Sequence, residues 1–154
     1  MKSLLLLFTL VLGMSTQAQQ NVEPQLDWKT NFEQAQEEAR KTGKPILLYF
    51  TGSDWCKPCQ ALKEDFFMSE DFLAMSDQFV MVQADIPFRE DIITPEQKAY
   101  NKKLQRKYNK ENSFPLLIAF DSRGRRLDDI GAYSTMMRDT QYHWKFVRDI
   151  LARV

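Results

Sequence analysis

The stretch Pro45-Ile46-Leu47-Leu48-Tyr49-Phe50-Thr51-Gly52-Ser53-Asp54-Trp55-Cys56-Lys57-Pro58-Cys59 decides the architecture. Its first half, Pro45 to Thr51, is an almost unbroken apolar run, the pattern of a strand covered on both faces. Gly52-Ser53-Asp54 interrupts the run, and beyond it an amphipathic helix carries Leu62, Phe66 and Phe67 on its apolar face. The chain has two cysteines, and both fall at this strand-to-helix turn. Sulfurs at Cys-x-x-Cys spacing close a small, reversible disulfide, which is the redox spacing. As a staple such a bridge does little, because so short a loop hardly restricts the unfolded chain.

Working outward, Thr30-Asn31-Phe32-Glu33 reads as a helix start with Thr30 as cap and Glu33 three residues later. Phe32, Ala35 and Ala39 share one face, and Gly43 ends that helix. Downstream of the cysteines, Ser69-Glu70-Asp71 caps a short helix around Phe72 to Met75. Phe79 to Asp85 is a second central strand. A polar connection, Ile86 to Ile93, leads to Thr94-Pro95-Glu96-Gln97, a capping box with proline at the first helical position. Tyr100, Leu104 and Tyr108 form that helix's apolar stripe, and Pro115 to Phe120 is a third strand. Asp121-Ser122-Arg123-Gly124 turns into a fourth strand, Arg126 to Ile130, and the last helix aligns His143, Phe146, Val147, Ile150 and Leu151. The early alternation implies parallel strands joined by crossover helices, and the late hairpin adds an antiparallel edge. The class is therefore α/β, with a central mixed four-stranded sheet flanked by helices.

The N-terminus suggests where such a domain works. Lys2, the apolar run Leu4 to Leu12, and the small and polar residues Ser15-Thr16-Gln17-Ala18 read as a secretory signal peptide over residues 1–18. Residues 19–26 read as a polar tether and 27–154 as one domain. Lysines and arginines number 21 against 21 acids, so no net field draws nucleic acid or an anionic membrane. One histidine and two cysteines do not make up the usual zinc ligand sets, and neither metal nor cofactor is expected. His143 lies on an apolar face and reads as a packed residue. No internal repeat or second domain is evident, and a monomer is expected.

With these residues in place, the chain resembles the thioredoxin-like proteins over Asp27 to Val154. The resemblance rests on the strand–Trp-Cys-x-x-Cys–helix unit, on Asp85 closing the second strand, and on Ser113-Phe114-Pro115 before the third. Gly43 to Leu48 and Phe66 to Asp71 are most similar to a secreted branch. That branch includes the periplasmic C-terminal domain of transmembrane thiol reductant carriers. The resemblance implies the thioredoxin-like fold and a cis peptide bond before Pro115, which faces the sulfurs and shapes the groove where substrate backbone docks. It also exposes two departures. The buried carboxylate that shuttles protons to the second cysteine falls on Tyr49, and its lysine partner falls near Met81. The second-cysteine step is then left to water, Asp54 or a substrate group. Phe114 stands where many members carry a small or β-branched residue, and it either narrows the docking groove or packs inward.

Exchange needs a thiolate. Cys56, at the helix N-terminus, meets orphan N–H groups and the positive end of the dipole, and Lys57 adds a cation alongside. Cys56 is accordingly the expected nucleophile, and Cys59, expected to be more buried, the resolving cysteine. Pro58 stiffens the first turn, which favours the oxidised enzyme and hence a reductant. Trp55 is expected to cover the site and offer an apolar rim. The expected partners are protein disulfides and a membrane thiol reductant. A disulfide oxidase or isomerase, and a non-catalytic peptide-binding or chaperone module using the same groove, are the competing readings.

Overall fold

The computed structural model describes residues 26–154. The segment read as a signal peptide, and all of the tether but Leu26, lie outside the described residues. The elements are α1 (Phe32–Thr42), β1 (Ile46–Thr51), α2 (Lys57–Leu62) with a π-helical turn (Lys63–Phe67) continuing it, α3 (Glu70–Met75), β2 (Val80–Asp85), α4 (Pro95–Tyr108), β3 (Leu116–Phe120), β4 (Arg126–Gly131) and α5 (Gln141–Leu151). The sheet order is β2-β1-β3-β4. β1 pairs parallel with β2 and antiparallel with β3, and β4 runs antiparallel to β3.

Alternation along the strands divides the core into two layers. Leu47, Tyr49, Met81, Leu117 and Ala119 point to one face, where they meet Leu62, Phe66, Phe67 and Phe72 and the α5 residues Phe146, Val147 and Ile150. Ile46, Leu48, Phe50, Val80, Val82, Ala84 and Ile118 point to the other and pack against Phe32, Ala35 and Ala39 of α1 and Leu104 of α4. Every residue of β1 is buried, as a central strand with both faces covered requires. Outside β2, the backbone of Lys29 bonds Met81 O and Gln83 N and covers part of that edge.

Local signals account for several helix ends. Gly43 closes α1 in the left-handed conformation at φ 76°, with its N–H on Ala39 O. Ser69 caps α3 by accepting from Phe72 N–H, and Thr94 caps α4 by accepting from Gln97 N–H. The cap of α1 is Asn31, not Thr30. Its Oδ1 accepts from Gln34 N–H at 2.8 Å, because the helix begins one residue later than the Thr30–Glu33 spacing suggests. The box at Thr94 is one-sided: the Gln97 amide donates to Thr30 O and Asn101 Oδ1 instead of returning to the cap.

The direction of β3 departs from simple alternation. It follows a helix yet runs antiparallel to β1, so the antiparallel part of the sheet begins inside it and not only at its edge. Asn101, midway along α4, donates to Asp85 O at the exit of β2 (2.7 Å). The helix is thereby held at the end of the sheet where β2 leaves, and β3 enters from that same end.

Candidate active site

β1 delivers the chain to Gly52, and the turn that follows is fixed at several points. Cys56 N–H donates to Gly52 O at 2.8 Å. Ser53 donates its N–H (2.9 Å) and its hydroxyl (2.6 Å) to the carboxylate of Asp85, so the end of β2 grips the turn leaving β1. Gln60 reaches back to Ser53 O at 2.9 Å. A Cβ at Gly52 would stand 2.2 Å from the Trp55 ring, so only glycine lets the indole lie against this backbone.

Cys56 is the N-cap of α2, and its Sγ accepts the N–H of Cys59 at 3.2 Å. The two sulfurs form a disulfide of 2.05 Å. Cys56 and Cys59 are 3% and 2% exposed, so the expected difference in burial is absent; in the bridged form Cys56 Sγ is drawn in over the helix end. Pro58 occupies the first turn, where a missing N–H costs nothing. Lys57 is exposed, and its ammonium turns to Gln60 Oε1 (3.2 Å).

Two of the residues expected at the rim, Trp55 and Phe114, meet here. Trp55 is half-buried and anchored by its indole N–H on Ile86 O at 2.8 Å. Its ring stands edge-on to Phe114, centroids 5.2 Å apart, and Phe114 also packs against the α1/α4 layer. The inward packing expected of Phe114 is therefore present, alongside its contact with Trp55. The Phe114–Pro115 bond is cis. The segment before it is clamped by buried Asn109, which accepts from Ser113 N–H (2.9 Å) and donates to Ser113 O (2.8 Å). Pro115 O in turn receives Ala132 N–H from the β4 exit (3.1 Å).

At the position of the missing carboxylate, Tyr49 is buried and its hydroxyl donates to Cys59 O at 3.3 Å. Burial pushes the phenol up to about 12, so it remains a neutral donor. Met81 is buried in the same layer. Asp54 is committed elsewhere. Its carboxylate accepts Phe88 N–H (3.0 Å) and Arg89 N–H (2.8 Å), and these bonds outweigh the opposing desolvation and hold it below the usual carboxylate range. His143 is buried between Phe66 and Tyr133, with neither ring nitrogen hydrogen-bonded, and burial lowers it to about 4.

Sequence reasoning missed the part played by the 86–93 connection. Phe88 lies stacked on Trp55, with centroids 5.0 Å apart and planes at 15°, yet remains 72% exposed. A lone aromatic in an otherwise polar connection was the available signal. Among the described residues no group of three or more His, Cys, Asp or Glu side chains is placed to hold a metal ion, and no helix is long and apolar enough to cross a membrane.

The chain is similar to known proteins. The disulfide bond reductase DsbH of Chlamydia pneumoniae is 33% identical over 107 residues, spanning 69% of this chain and 63% of that protein. The thioredoxin-related protein DsbJ of the same organism is 26% identical over 139 residues, covering 86% of this chain and 39% of its own length. The chain therefore spans less than two thirds of either relative. A solved DsbH oxidoreductase superposes with a TM-score of 0.69 at 28% identity, covering 90% of this chain and 94% of that one. The thioredoxin-like family model matches residues 27–122, the stretch that carries the disulfide turn, its Asp85 anchor and Pro115. On fold, site and sequence together, the chain belongs to the thioredoxin-like family.

Proposed function

We propose that this protein is a thiol–disulfide oxidoreductase that reduces protein disulfides outside the cytoplasm and is re-reduced by a membrane thiol carrier. The observation that carries the reading is the Cys56–Cys59 pair at the start of α2, with Cys56 Sγ accepting a helix-end N–H. In the reduced enzyme the same N–H groups and the helix dipole favour a Cys56 thiolate. That thiolate attacks one sulfur of a substrate disulfide, and the other substrate sulfur leaves as a thiol. Cys59 then attacks Cys56 Sγ in the mixed disulfide and expels the second substrate thiol. Two electrons pass from the dithiol to the substrate, and the enzyme is left with its Cys56–Cys59 bond.

The proton of Cys59 is taken by water or by the departing substrate thiolate. Tyr49 holds the Cys59 carbonyl and stays protonated, and Asp54 is bound to two loop amides. Trp55, Phe114 and Pro115 form the surface over which substrate backbone docks. The reductase description of the relative from Chlamydia pneumoniae supports the direction, and the signal-like N-terminus supports the compartment.

A Cys59→Ser variant tests the mechanism. It should accumulate mixed disulfides with substrate proteins through Cys56, visible as adducts on non-reducing gels that disappear on reduction. Cys56→Ser should form none. Absence of adducts with Cys59→Ser would leave the groove as a binding surface and the catalytic reading without support.

A further inference from the structure

The aromatic surface beside Cys56 extends beyond the residues the exchange chemistry requires. Phe88 is stacked on Trp55 with nearly parallel planes, and Trp55 meets Phe114 edge-on, so three rings form one contiguous aromatic cluster from the 86–93 connection to Phe114. A phenylalanine 72% exposed usually signals a loop tip with no better place to go. This one is held where it is. Asp54 takes the N–H of Phe88 and of Arg89, Lys98 Nζ donates to Phe88 O at 3.3 Å, and the Trp55 indole is tied to Ile86 O two residues earlier. Nothing in this fastening needs an aromatic side chain, because every bond is to backbone. The ring contributes one face to the stack on Trp55 and leaves the rest of its surface to solvent.

Part of the charge around the cluster is paired within it. Arg89 is ion-paired with Asp91 in the same loop, and the Asp54 carboxylate is occupied by the two amides. A ligand seated on the Phe88 ring itself gains through apolar and π contact.

We propose that Phe88 is a specificity-determining residue that favours disulfides whose cysteine is flanked, one to three residues away, by an aromatic or large aliphatic side chain. The distance follows from the geometry. Trp55 directly precedes Cys56, Phe88 lies one ring-stacking distance beyond Trp55 (5.0 Å), and an extended substrate advances about 3.3–3.6 Å per residue. A substrate whose sulfur reaches Cys56 thus brings its near neighbours over the exposed surface of Phe88. The inference rests on the reductase reading above and adds which substrates that site prefers.

The test uses two peptides in mixed disulfide with glutathione, identical but for phenylalanine or glycine two residues from the cysteine. The readout is the ratio of their kcat/KM values. The wild-type protein should prefer the phenylalanine peptide roughly three- to tenfold, the range expected of one aromatic contact. Phe88→Ala should bring the ratio near unity, mainly through KM, and Phe88→Trp should retain the preference. A wild type that reduces both peptides equally, or a Phe88→Ala protein that keeps the preference, overturns this inference alone. A wild type that reduces neither peptide nor glutathione disulfide overturns the reductase reading and this one with it.

Discussion

Tyr49 and His143 show how one buried side chain bears on the chemistry. Tyr49 places a hydroxyl on the Cys59 carbonyl without supplying a proton acceptor, since burial holds its phenol at about 12. His143 is a liability of another kind. Its neutral ring fits between Phe66 and Tyr133, and a charged one would stand unsolvated and unpaired. Its folded value, about 4, lies below the ordinary value of 6.5, so the unfolded chain binds the extra proton more readily. Stability is then free of this cost above pH 6.5 and loses ground as pH falls from 6.5 towards 4. The loss should reach on the order of 2 kcal/mol at the acid end. A His143→Phe variant should show a flatter decline than wild type between pH 7.5 and 4.5 in urea denaturation. Parallel declines would mean that the ring is solvated on protonation.

Among the elements, the turn at α2 depends on neighbours far away in sequence. Asp85 holds Ser53, and Asp54 holds the backbone of Phe88 and Arg89, so β2 and its exit loop position the disulfide turn and are positioned by it. The π-helical turn does comparable work at the other end of α2. It lets Phe66 and Phe67, adjacent in sequence, both bury, while Asp65 accepts from Tyr133 (2.5 Å) and from Arg138 Nε (2.8 Å). Loss of the Asp54 contacts should free the 86–93 connection before it unfolds anything else. An Asp54→Ala protein should be cut by trypsin after Arg89 several-fold faster than wild type, with its far-UV circular dichroism unchanged. Equal cleavage would show that Lys98 and Trp55 alone hold the loop.

Across the whole molecule, what was legible followed from patterns that local physics fixes. The apolar run of β1, the Ser69 and Thr94 caps, and the cysteine spacing at a strand-to-helix turn each depend on neighbouring residues, and each stands where the sequence indicates. What was not legible depends on long-range contacts. The reversed β3 is tied to Asn101 meeting Asp85 O, and the Phe88 stack to Asp54 reaching across to the loop beyond β2. The α1 cap lies between these cases: Thr30 and Asn31 are both good caps, and only the helix start chooses Asn31. Two core layers, one under α2 and α5 and one under α1 and α4, together hold the disulfide turn at the end of β1. That rigid setting is where a dithiol's potential is determined, because potential reports how far folding favours one redox form over the other.

The equilibrium reduction potential of the Cys56–Cys59 pair, titrated in defined thiol buffers on the full protein, tests the reductant reading most directly. The account predicts a value near or below about −230 mV, in the range of reducing dithiols. A value of about −120 to −180 mV, in the range of oxidants and isomerases, would contradict it.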